Sequence, residues 1–255
     1  MAISTRDGEC LIIAAAQIAA VPGDVQSNIS THLRFARCAA MHGVQLLVFP
    51  ELSLTGYELG LAPGHVLSAD DPELRQLRAV ATESGMAIVA GAPVAGDGGC
   101  LHIGAFLFQP DGTAVTHTKV HVHSSEMPPF TAGPGGPPQP VAGTPVGLAI
   151  CADASHPEHA AATVAAGARL YAVGVFIEEE AYARKTSLIA GYSRQYRIPA
   201  LMANYAGVTG GAPSAGKSAI WADDGSLVIA APGAEPALVI AARRDDRWAR
   251  AISSP

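Results

Sequence analysis

Short apolar runs alternate with segments of helical spacing along most of this 255-residue chain. A run that is apolar throughout indicates a strand buried on both faces, and a 3.6-residue period indicates a helix. Strands are predicted at residues 11–18, 46–49, 86–94, 101–108, 113–122, 146–151, 170–177, 200–205 and 237–241, with a hairpin over 218–229. Helices are predicted at residues 28–42, 71–84, 156–167 and 180–196. The alternation predicts an α/β fold in which two mixed sheets pack together under flanking helices.

We expect a single domain over residues 1–255, with its core at about 11–241 and a polar C-terminal tail. Residues 128–145 are rich in proline and glycine, but strand–helix alternation resumes directly after them. They are therefore predicted to be a loop inside the domain. The apolar stretch at 11–21 resembles a signal-peptide core, yet Asp7 and Glu9 precede it and Gln17 interrupts it, so it is predicted to be a buried strand.

Composition excludes several classes of protein. Charged residues make up 15% of the chain and hydrophobic residues 49%, which excludes a disordered protein. A net charge of −6 without a basic run favours neither nucleic acid nor a membrane surface as a partner. The four cysteines include no C-x-x-C pair, so we expect reduced thiols in a cytoplasmic protein.

Cys151 is the cysteine whose position suggests reactivity. A lone cysteine is most often a buried packing residue. Here it follows the apolar run 146–150 and precedes A-D-A-S-H-P-E, which predicts a turn into a helix. Backbone N–H groups and a helix N-terminus lower the pKa of a thiol, so we expect Cys151 to have a lowered pKa.

Three charged residues stand in segments that offer complementary chemistry. Glu51 lies between V-F-P and L-S-L-T-G-Y, apolar surroundings that would raise the pKa of its carboxyl and suit it to proton transfer. Lys119 lies in T-K-V-H-V-H and Glu126 in S-S-E-M-P-P-F. Either one alone would be interpreted as an exposed strand or loop residue. A carboxylate, a cation and a thiol together can cleave a carbon–nitrogen bond, with a thioester as the covalent intermediate.

The order and spacing of these segments resemble the nitrilase superfamily, the carbon–nitrogen hydrolases. The resemblance starts at A-A-A-Q-I (14–18) and continues through F-P-E, K-V-H, E-M-P-P-F-T-A-G and I-C-A-D. It then includes N-Y-A-G (204–207) and G-K-S-A-I (216–220) and ends near residue 241. Each fragment alone is weak evidence, whereas the ordered set is specific.

The resemblance implies an α-β-β-α sandwich and a role for each reactive residue. Glu51 would be the general base, Cys151 the nucleophile, and Lys119 the cation that stabilises the tetrahedral intermediate. Glu126 would position the substrate and assist the others, and the Ala152 N–H would help to bind the oxyanion. The chemistry requires no metal or organic cofactor. Members commonly form dimers, so a homodimer or larger homo-oligomer is expected.

The substrate is less constrained than the reaction. The chain has Ala152 where the family often has an aromatic residue, and Y-A-V-G-V-F-I followed by E-E-E-A-Y where it usually has a proline-led strand. The predicted substrate-binding residues are Tyr57, Ala152, Glu178 and Glu179. Glu178, Glu179 or Glu180 would select a substrate with a cationic end, but a solvated acidic helix start, favoured by the helix dipole, is the preferred interpretation. A small carboxamide is the first substrate choice, an N-carbamoyl amide the second and a nitrile the third.

Three alternatives come from different classes of function. Residues 211–218 match the P-loop pattern, but a predicted hairpin follows where nucleotide binding needs a helix. His121 and His123 would face the same way on a strand, with His117 four residues before His121, and could belong to a metal-dependent amidohydrolase with His156 or His159 as further ligands. The preferred interpretation is that His121 fills the family's K-x-H position and that His123 is a partly exposed neighbour. The third alternative is a family member that binds but no longer hydrolyses, which the presence of all four reactive residues opposes.

Overall fold

The computed structural model of the chain describes residues 10–244 and 247–255. Within these ranges the strands form two large sheets and one two-stranded ribbon. The strands are β1 (Cys10–Gln17), β2 (Leu46–Val48), β3 (Ala87–Ala95), β4 (Leu101–Phe108), β5 (Ala114–Thr118), β6 (Gln139–Val141), β7 (Thr144–Ile150), β8 (Leu170–Gly174), β9 (Ala200–Ala203), β10 (Val208–Thr209), β11 (Ala212–Pro213), β12 (Ala219–Trp221), β13 (Leu227–Ala230), β14 (Ala237–Arg244) and β15 (Arg247–Ser253). The α-helices are α1 (Val25–Met41), α2 (Arg75–Ser84), α3 (Pro157–Ala165) and α4 (Glu179–Tyr196).

Both large sheets are mixed. The first has the strand order β15-β14-β1-β2-β3-β4-β5, and the second has the order β13-β12-β9-β8-β7-β6. The central strands run parallel, β1 with β2 and β2 with β3 in the first sheet, and β7 with β8 and β8 with β9 in the second. Parallel neighbours need a crossover connection, which α1, α2, α3 and α4 supply in turn. The outer strands pair antiparallel.

Three buried apolar layers hold the sheets and helices together. Successive residues of a strand point to opposite faces, so Ile12 packs in the layer under α1 and α2 while Ile13 packs between the sheets. The middle layer joins Val48 of β2 and Ile150 of β7 in one buried cluster. The third layer packs the second sheet against α3 and α4. The architecture is an α-β-β-α sandwich, as the sequence predicts.

The helices begin and end where local chemistry allows. α1 follows Asp24, whose carboxylate accepts the Ser27 N–H at 3.0 Å. α2 ends at Gly85, with φ 68°, but begins later than predicted. A 3-10 turn at Pro72–Leu74 precedes it, and the Asp71 carboxylate accepts the Ser68 N–H instead of capping the helix. No helix in the described part of the chain is long and apolar enough to cross a bilayer.

The structure also departs from the predicted strands and loops in several places. β5 ends at Thr118, so Lys119 and the residues up to 122 lie beyond the strand. The predicted loop 128–145 contains β6, which pairs with β7. Residues 247–253, predicted as part of a polar tail, form β15 along the edge of β14. Four of its seven residues are exposed, so β15 lacks the apolar run by which buried strands are recognised.

Candidate active site

Cys151 lies immediately after β7, at the first residue of a 3-10 turn over Cys151–Ser155. Its φ is 44°, a left-handed conformation that is uncommon for a residue with a side chain and that occurs more often at functional sites. The thiol is buried, and its Sγ lies 3.5 Å from the Phe176 carbonyl oxygen. The strand therefore delivers the thiol to the edge of the second sheet in a sharp, fixed turn.

Glu51 follows β2 and lies where the first sheet meets the second. The segment passes very close to two glycines, because a Cβ on Gly91 would be 2.3 Å from the Leu52 nitrogen and one on Gly174 would be 2.8 Å from the Phe49 oxygen. Only glycine permits such close backbone approach without a shift. The Tyr205 hydroxyl donates to the Glu51 carbonyl oxygen at 2.6 Å and fixes the turn from the second sheet.

Lys119 connects the two glutamates. Its Nζ donates to Glu51 Oε1 and to Glu126 Oε1, both at 2.6 Å, and all three side chains are completely buried. Glu126 also accepts the Tyr57 hydroxyl at 2.7 Å on Oε1 and the His123 N–H at 2.7 Å on Oε2. One cation between two carboxylates leaves a net negative cluster, so one of the carboxyl groups is poised to hold a proton.

This arrangement affects the pKa of Glu51. Burial raises the pKa of Glu51 to about 7, against the lowering effect of the Lys119 cation and with a further raising effect from Glu126. The predicted upward shift is thus confirmed. Glu51 Oε2 is buried without a hydrogen-bond partner among the described residues. A carboxyl group with a pKa near neutrality and a free oxygen suits proton transfer.

The pKa of the thiol moves opposite to the prediction. Burial raises the pKa of Cys151 to about 11, and the Glu51 carboxylate adds to the rise, whereas Lys185 and Lys119 oppose it. The local turn alone would lower the pKa of the thiol, but the surrounding layers bury Cys151, and this desolvation raises it. The thiol is therefore protonated in the free site and needs a base beside it to react. Burial opposes the charge of Lys119, but the neighbouring carboxylates and sulfur outweigh it and raise the Lys119 pKa.

Two residues of the site, Lys185 and Asp153, are not predicted from the sequence. Lys185, on α4, places its Nζ 3.8 Å from Cys151 Sγ. Helical spacing could have indicated that Lys185 faces the interior, because it lies on the same side of α4 as the buried Ile189, four residues later. Asp153 is fully buried and accepts the Val120 and His121 N–H groups on Oδ1 and the Ile150 N–H on Oδ2. It ties the segment after Lys119 to the turn of Cys151.

The predicted substrate-binding residues divide into two pairs. Tyr57 lies in the cluster, with its ring 4.9 Å from the Phe176 ring and its hydroxyl on Glu126, and Ala152 is buried beside the thiol. Glu178 and Glu179 are exposed at the start of α4. Glu179 forms an ion pair with Lys217 at 2.6 Å. Substrate contact by these four residues stays a prediction.

The P-loop alternative does not have the required context. Residues 211–218 lead into β12, not into a helix, so no helix N-terminus faces a phosphate there. Lys217, the lysine of the pattern, pairs with Glu179, and its Nζ lies 5.2 Å from the centre of the Tyr182 ring. The segment contains β11 and then a largely buried turn that leads into β12.

The predicted H-x-H pair does not converge. His121 and His123 lie beyond the end of β5, so the strand alternation that would align them is absent. His121 Nδ1 lies 3.2 Å from Asp153 Oδ1, whereas His123 Nδ1 lies 2.8 Å from the Ser125 hydroxyl. The groups of possible metal ligands in the described residues are His117, Asp153 and His159, and separately His121, His156 and Glu158. Neither group includes His123 or a residue of the Glu51–Lys119–Cys151 cluster.

Comparison with known proteins identifies the class to which this fold and cluster belong. A family described as carbon-nitrogen hydrolase matches residues 12–252. A protein of Pseudomonas protegens described as "Hydrolase in pqqF 5'region" is 31% identical over 226 residues, which are 86% of this chain and 78% of that protein. The chain belongs to the carbon-nitrogen hydrolase family, whose enzymes cleave carbon–nitrogen bonds other than peptide bonds.

Solved structures agree with that assignment. A double mutant of an amidase from Nesterenkonia sp. AN1, in complex with acrylamide, is 27% identical with a TM-score of 0.84, covering 95% of this chain and 94% of that one. A single mutant of the same amidase has a TM-score of 0.85 at 27% identity, over 96% of this chain and 94% of that one. In that structure the acetamide moiety of fluoroacetamide has added covalently at the active-site cysteine. The protein is thus similar in fold to amidases of the nitrilase superfamily.

Proposed function

We propose that this protein hydrolyses the carbon–nitrogen bond of a small carboxamide, giving a carboxylic acid and ammonia through a thioester on Cys151. The observation that carries the proposal is the buried cluster of Glu51, Lys119 and Glu126 beside the thiol. Fully buried charges are costly and are found where they are paired or used. The similarity to an amidase that reacts with an amide at its cysteine supports the same chemistry here.

In the acylation half-reaction, the free oxygen of Glu51 takes the thiol proton as Sγ attacks the amide carbon. The carbonyl oxygen gains negative charge, which the Lys119 ammonium and the Ala152 N–H would stabilise. The tetrahedral intermediate then collapses, the carbon–nitrogen bond breaks, and Glu51 returns the proton to the departing nitrogen. Ammonia leaves and the acyl group stays on Cys151 as a thioester.

In the deacylation half-reaction, Glu51 takes a proton from a water molecule that attacks the thioester carbon. A second tetrahedral intermediate forms in the same place and uses the same two donors. Its collapse breaks the carbon–sulfur bond, releases the acid and returns the proton to the sulfur. A carboxyl group with a pKa of about 7 can act as both general base and general acid, since it can accept and donate a proton near neutral pH.

Fluoroacetamide tests the proposal, because it offers the thiol two carbon atoms to attack. Wild type should attack the amide carbon and release ammonia and fluoroacetate. Glu51→Gln cannot pass the thiol proton to the departing nitrogen, so its Sγ should instead displace fluoride and keep one acetamide group, as in the structure of the amidase mutant. Peptide mass spectrometry should find that group on the peptide of Cys151 and none on the peptides of Cys38 or Cys100. Turnover by Glu51→Gln equal to that of wild type, or equal labelling of Cys38, would contradict the proposed pairing of base and nucleophile.

We further infer a cytoplasmic protein that assembles as a homodimer or larger homo-oligomer. The cytoplasmic location is inferred from the described cysteines, Cys38, Cys100 and Cys151, which are free thiols, and the assembly is inferred from the dimers that family members commonly form. Light scattering coupled to size-exclusion chromatography would measure the assembly directly, and a monomeric mass would overturn it.

A further inference from the structure

A group of possible metal ligands lies near the turn of Cys151 but does not include any residue of the proposed hydrolytic cluster. His117 on β5, Asp153 in the turn after Cys151 and His159 on α3 each present one ligand atom, and these atoms lie within 4.8 Å of one another. The three residues are 4%, 0% and 8% exposed. Two imidazoles and a carboxylate from three separate elements, buried together, form a donor set that suits a divalent transition metal.

The His117 ring supplies an independent observation. Its Nε2 is buried and has no hydrogen-bond partner among the described residues. An unpaired buried polar atom destabilises a folded protein, and each such atom calls for an explanation such as a bound ion or water. Nothing in the proposed hydrolysis uses this nitrogen.

The other two ligands are oriented as ligands usually are. His159 Nδ1 lies 3.0 Å from the Tyr171 hydroxyl, which fixes the ring and leaves Nε2 facing Asp153 Oδ2 at 3.9 Å. Metal-binding histidines commonly have such a partner on the second ring nitrogen. Asp153 Oδ1 accepts two backbone N–H groups, whereas Oδ2 accepts one and retains a lone pair toward His159.

A pocket connects the group to solvent. It has a volume of about 450 Å³ and is lined by residues that include His117, His159, Gly135 and Pro138. An ion can therefore reach the two histidines from the pocket, with Asp153 buried behind them, and water from the pocket can complete its coordination. The pocket does not include Cys151, Lys119 or Glu51.

We propose that His117, Asp153 and His159 bind one divalent transition-metal ion of the class that prefers nitrogen and oxygen ligands, such as Zn²⁺, Co²⁺ or Ni²⁺. The site is separate from the hydrolytic cluster and takes no part in cleaving the amide. Asp153 also holds the segments of Lys119 and Cys151, so a bound ion would stiffen both loops. We expect the ion to raise the thermal midpoint of the intact protein, because it binds only the folded chain.

Titration of the chelator-treated protein with Co²⁺ tests the site. Wild type and Cys151→Ala should each bind one ion, with the visible bands of nitrogen and oxygen ligation and without a thiolate charge-transfer band. His117→Ala and His159→Ala should each weaken binding at least about tenfold. The matched control is His156→Ala, a neighbouring histidine outside the group, which should bind as wild type does.

Other results would overturn the proposal. Loss of binding in Cys151→Ala would place the ion on the thiol. Loss in His156→Ala with retention in His117→Ala would place it on the less buried group of His121, His156 and Glu158. Absence of binding in wild type would leave a water molecule as the partner of His117 Nε2. Circular dichroism verifies that each variant is folded. Because His117 and His159 lie on different elements, one ligand variant still tests the site if the other does not fold.

Discussion

Lys119 illustrates how strongly this site depends on single side chains. Its ammonium is fully buried and neutralises part of the charge of Glu51 and Glu126. Removing one partner of a buried ion pair leaves an uncompensated charge, which costs about 3–5 kcal/mol. The exposed pair of Lys217 and Glu179 has equally short contacts but is solvated, and pairs of that kind contribute about 0–1 kcal/mol.

We therefore predict different outcomes for two matched lysine variants. Lys119→Met should lower the free energy of unfolding by about 3 kcal/mol or more, because two buried carboxylates lose their shared cation. Lys217→Met should change it by less than about 1 kcal/mol. Urea unfolding at pH 8 measures both, and equal losses in the two variants would show that the buried cluster is not charged as described.

The pKa of Glu51 predicts how activity varies with pH. Glu51 acts as a base only when deprotonated, and burial raises its pKa to about 7. The value of kcat/KM should therefore be low below this pKa and rise as pH increases through about 7. Glu126 contributes to the raised pKa, so Glu126→Gln should shift the rise to lower pH in its residual activity. A rate independent of pH between about 6 and 8 would contradict this assignment.

Lys185 gives a prediction about thiol reactivity. Its ammonium, 3.8 Å from Sγ, lowers the pKa of Cys151 against the rise caused by burial. Lys185→Met should therefore raise the thiol pKa and slow alkylation of Cys151 by iodoacetamide, and Lys185→Arg should restore much of the rate. Arg184, exposed on the same helix, is the control, since Arg184→Met should alkylate as wild type does. Equal rates in all variants would exclude an electrostatic role for Lys185.

At the residue scale, the sequence predicts pKa shifts that neighbours in the chain cause, but not those that depend on packing against distant elements. Glu51 was predicted to have a raised pKa because apolar residues surround it in the chain itself. The shift of Cys151 was predicted in the wrong direction because its burial comes from distant elements. Lys185 lies 34 positions from Cys151, and nothing in its own segment indicates that it contacts a thiol.

At the scale of elements, two glycines allow the turn of Glu51 to lie between the sheets. Gly91 in β3 faces the Leu52 nitrogen, and a Cβ there would lie 2.3 Å from that nitrogen, closer than Cβ atoms approach other heavy atoms. The backbone must then move, and the carboxylate that follows β2 moves with it. Gly191 in α4 has nothing within 4 Å of an added Cβ.

The two glycines therefore make a matched pair of substitutions. Gly91→Ala should destabilise the protein by about 1–3 kcal/mol through overpacking and should lower kcat, since the turn of Glu51 is displaced. Gly191→Ala should stabilise it by about 0.5–1 kcal/mol, because alanine is the better helix residue. Thermal unfolding and activity of the two variants check this. A harmless Gly91→Ala would mean that the turn can shift freely.

The elements themselves were largely predictable, and their ends were not. Buried parallel strands are apolar throughout, which is why β1, β2, β7 and β8 were recognised. β15 was missed because an edge strand with mostly exposed side chains has no apolar run. The strand containing Lys119 was predicted too long because V-H-V-H continues its alternation, whereas the structure ends β5 at Thr118 and bonds the Val120 and His121 N–H groups to Asp153.

At the scale of the whole molecule, the site exists only where the two sheets meet. Glu51 follows a strand of the first sheet and Cys151 a strand of the second, and Lys119 follows β5 at the edge of the first sheet. The apolar layer between the sheets fixes the separation of base and nucleophile. The resemblance of ordered motifs predicted this meeting, but distances and charge states required the folded chain.

Ammonia release from a panel of small carboxamides, N-carbamoyl amides and nitriles tests the central claim most directly. Wild type should release ammonia from at least one carboxamide, and Cys151→Ala, verified as folded, should release none. Preference for another class in the panel would move the enzyme to a different branch of the same family. Turnover that survives in Cys151→Ala would contradict the claim that this hydrolase works through a cysteine thioester.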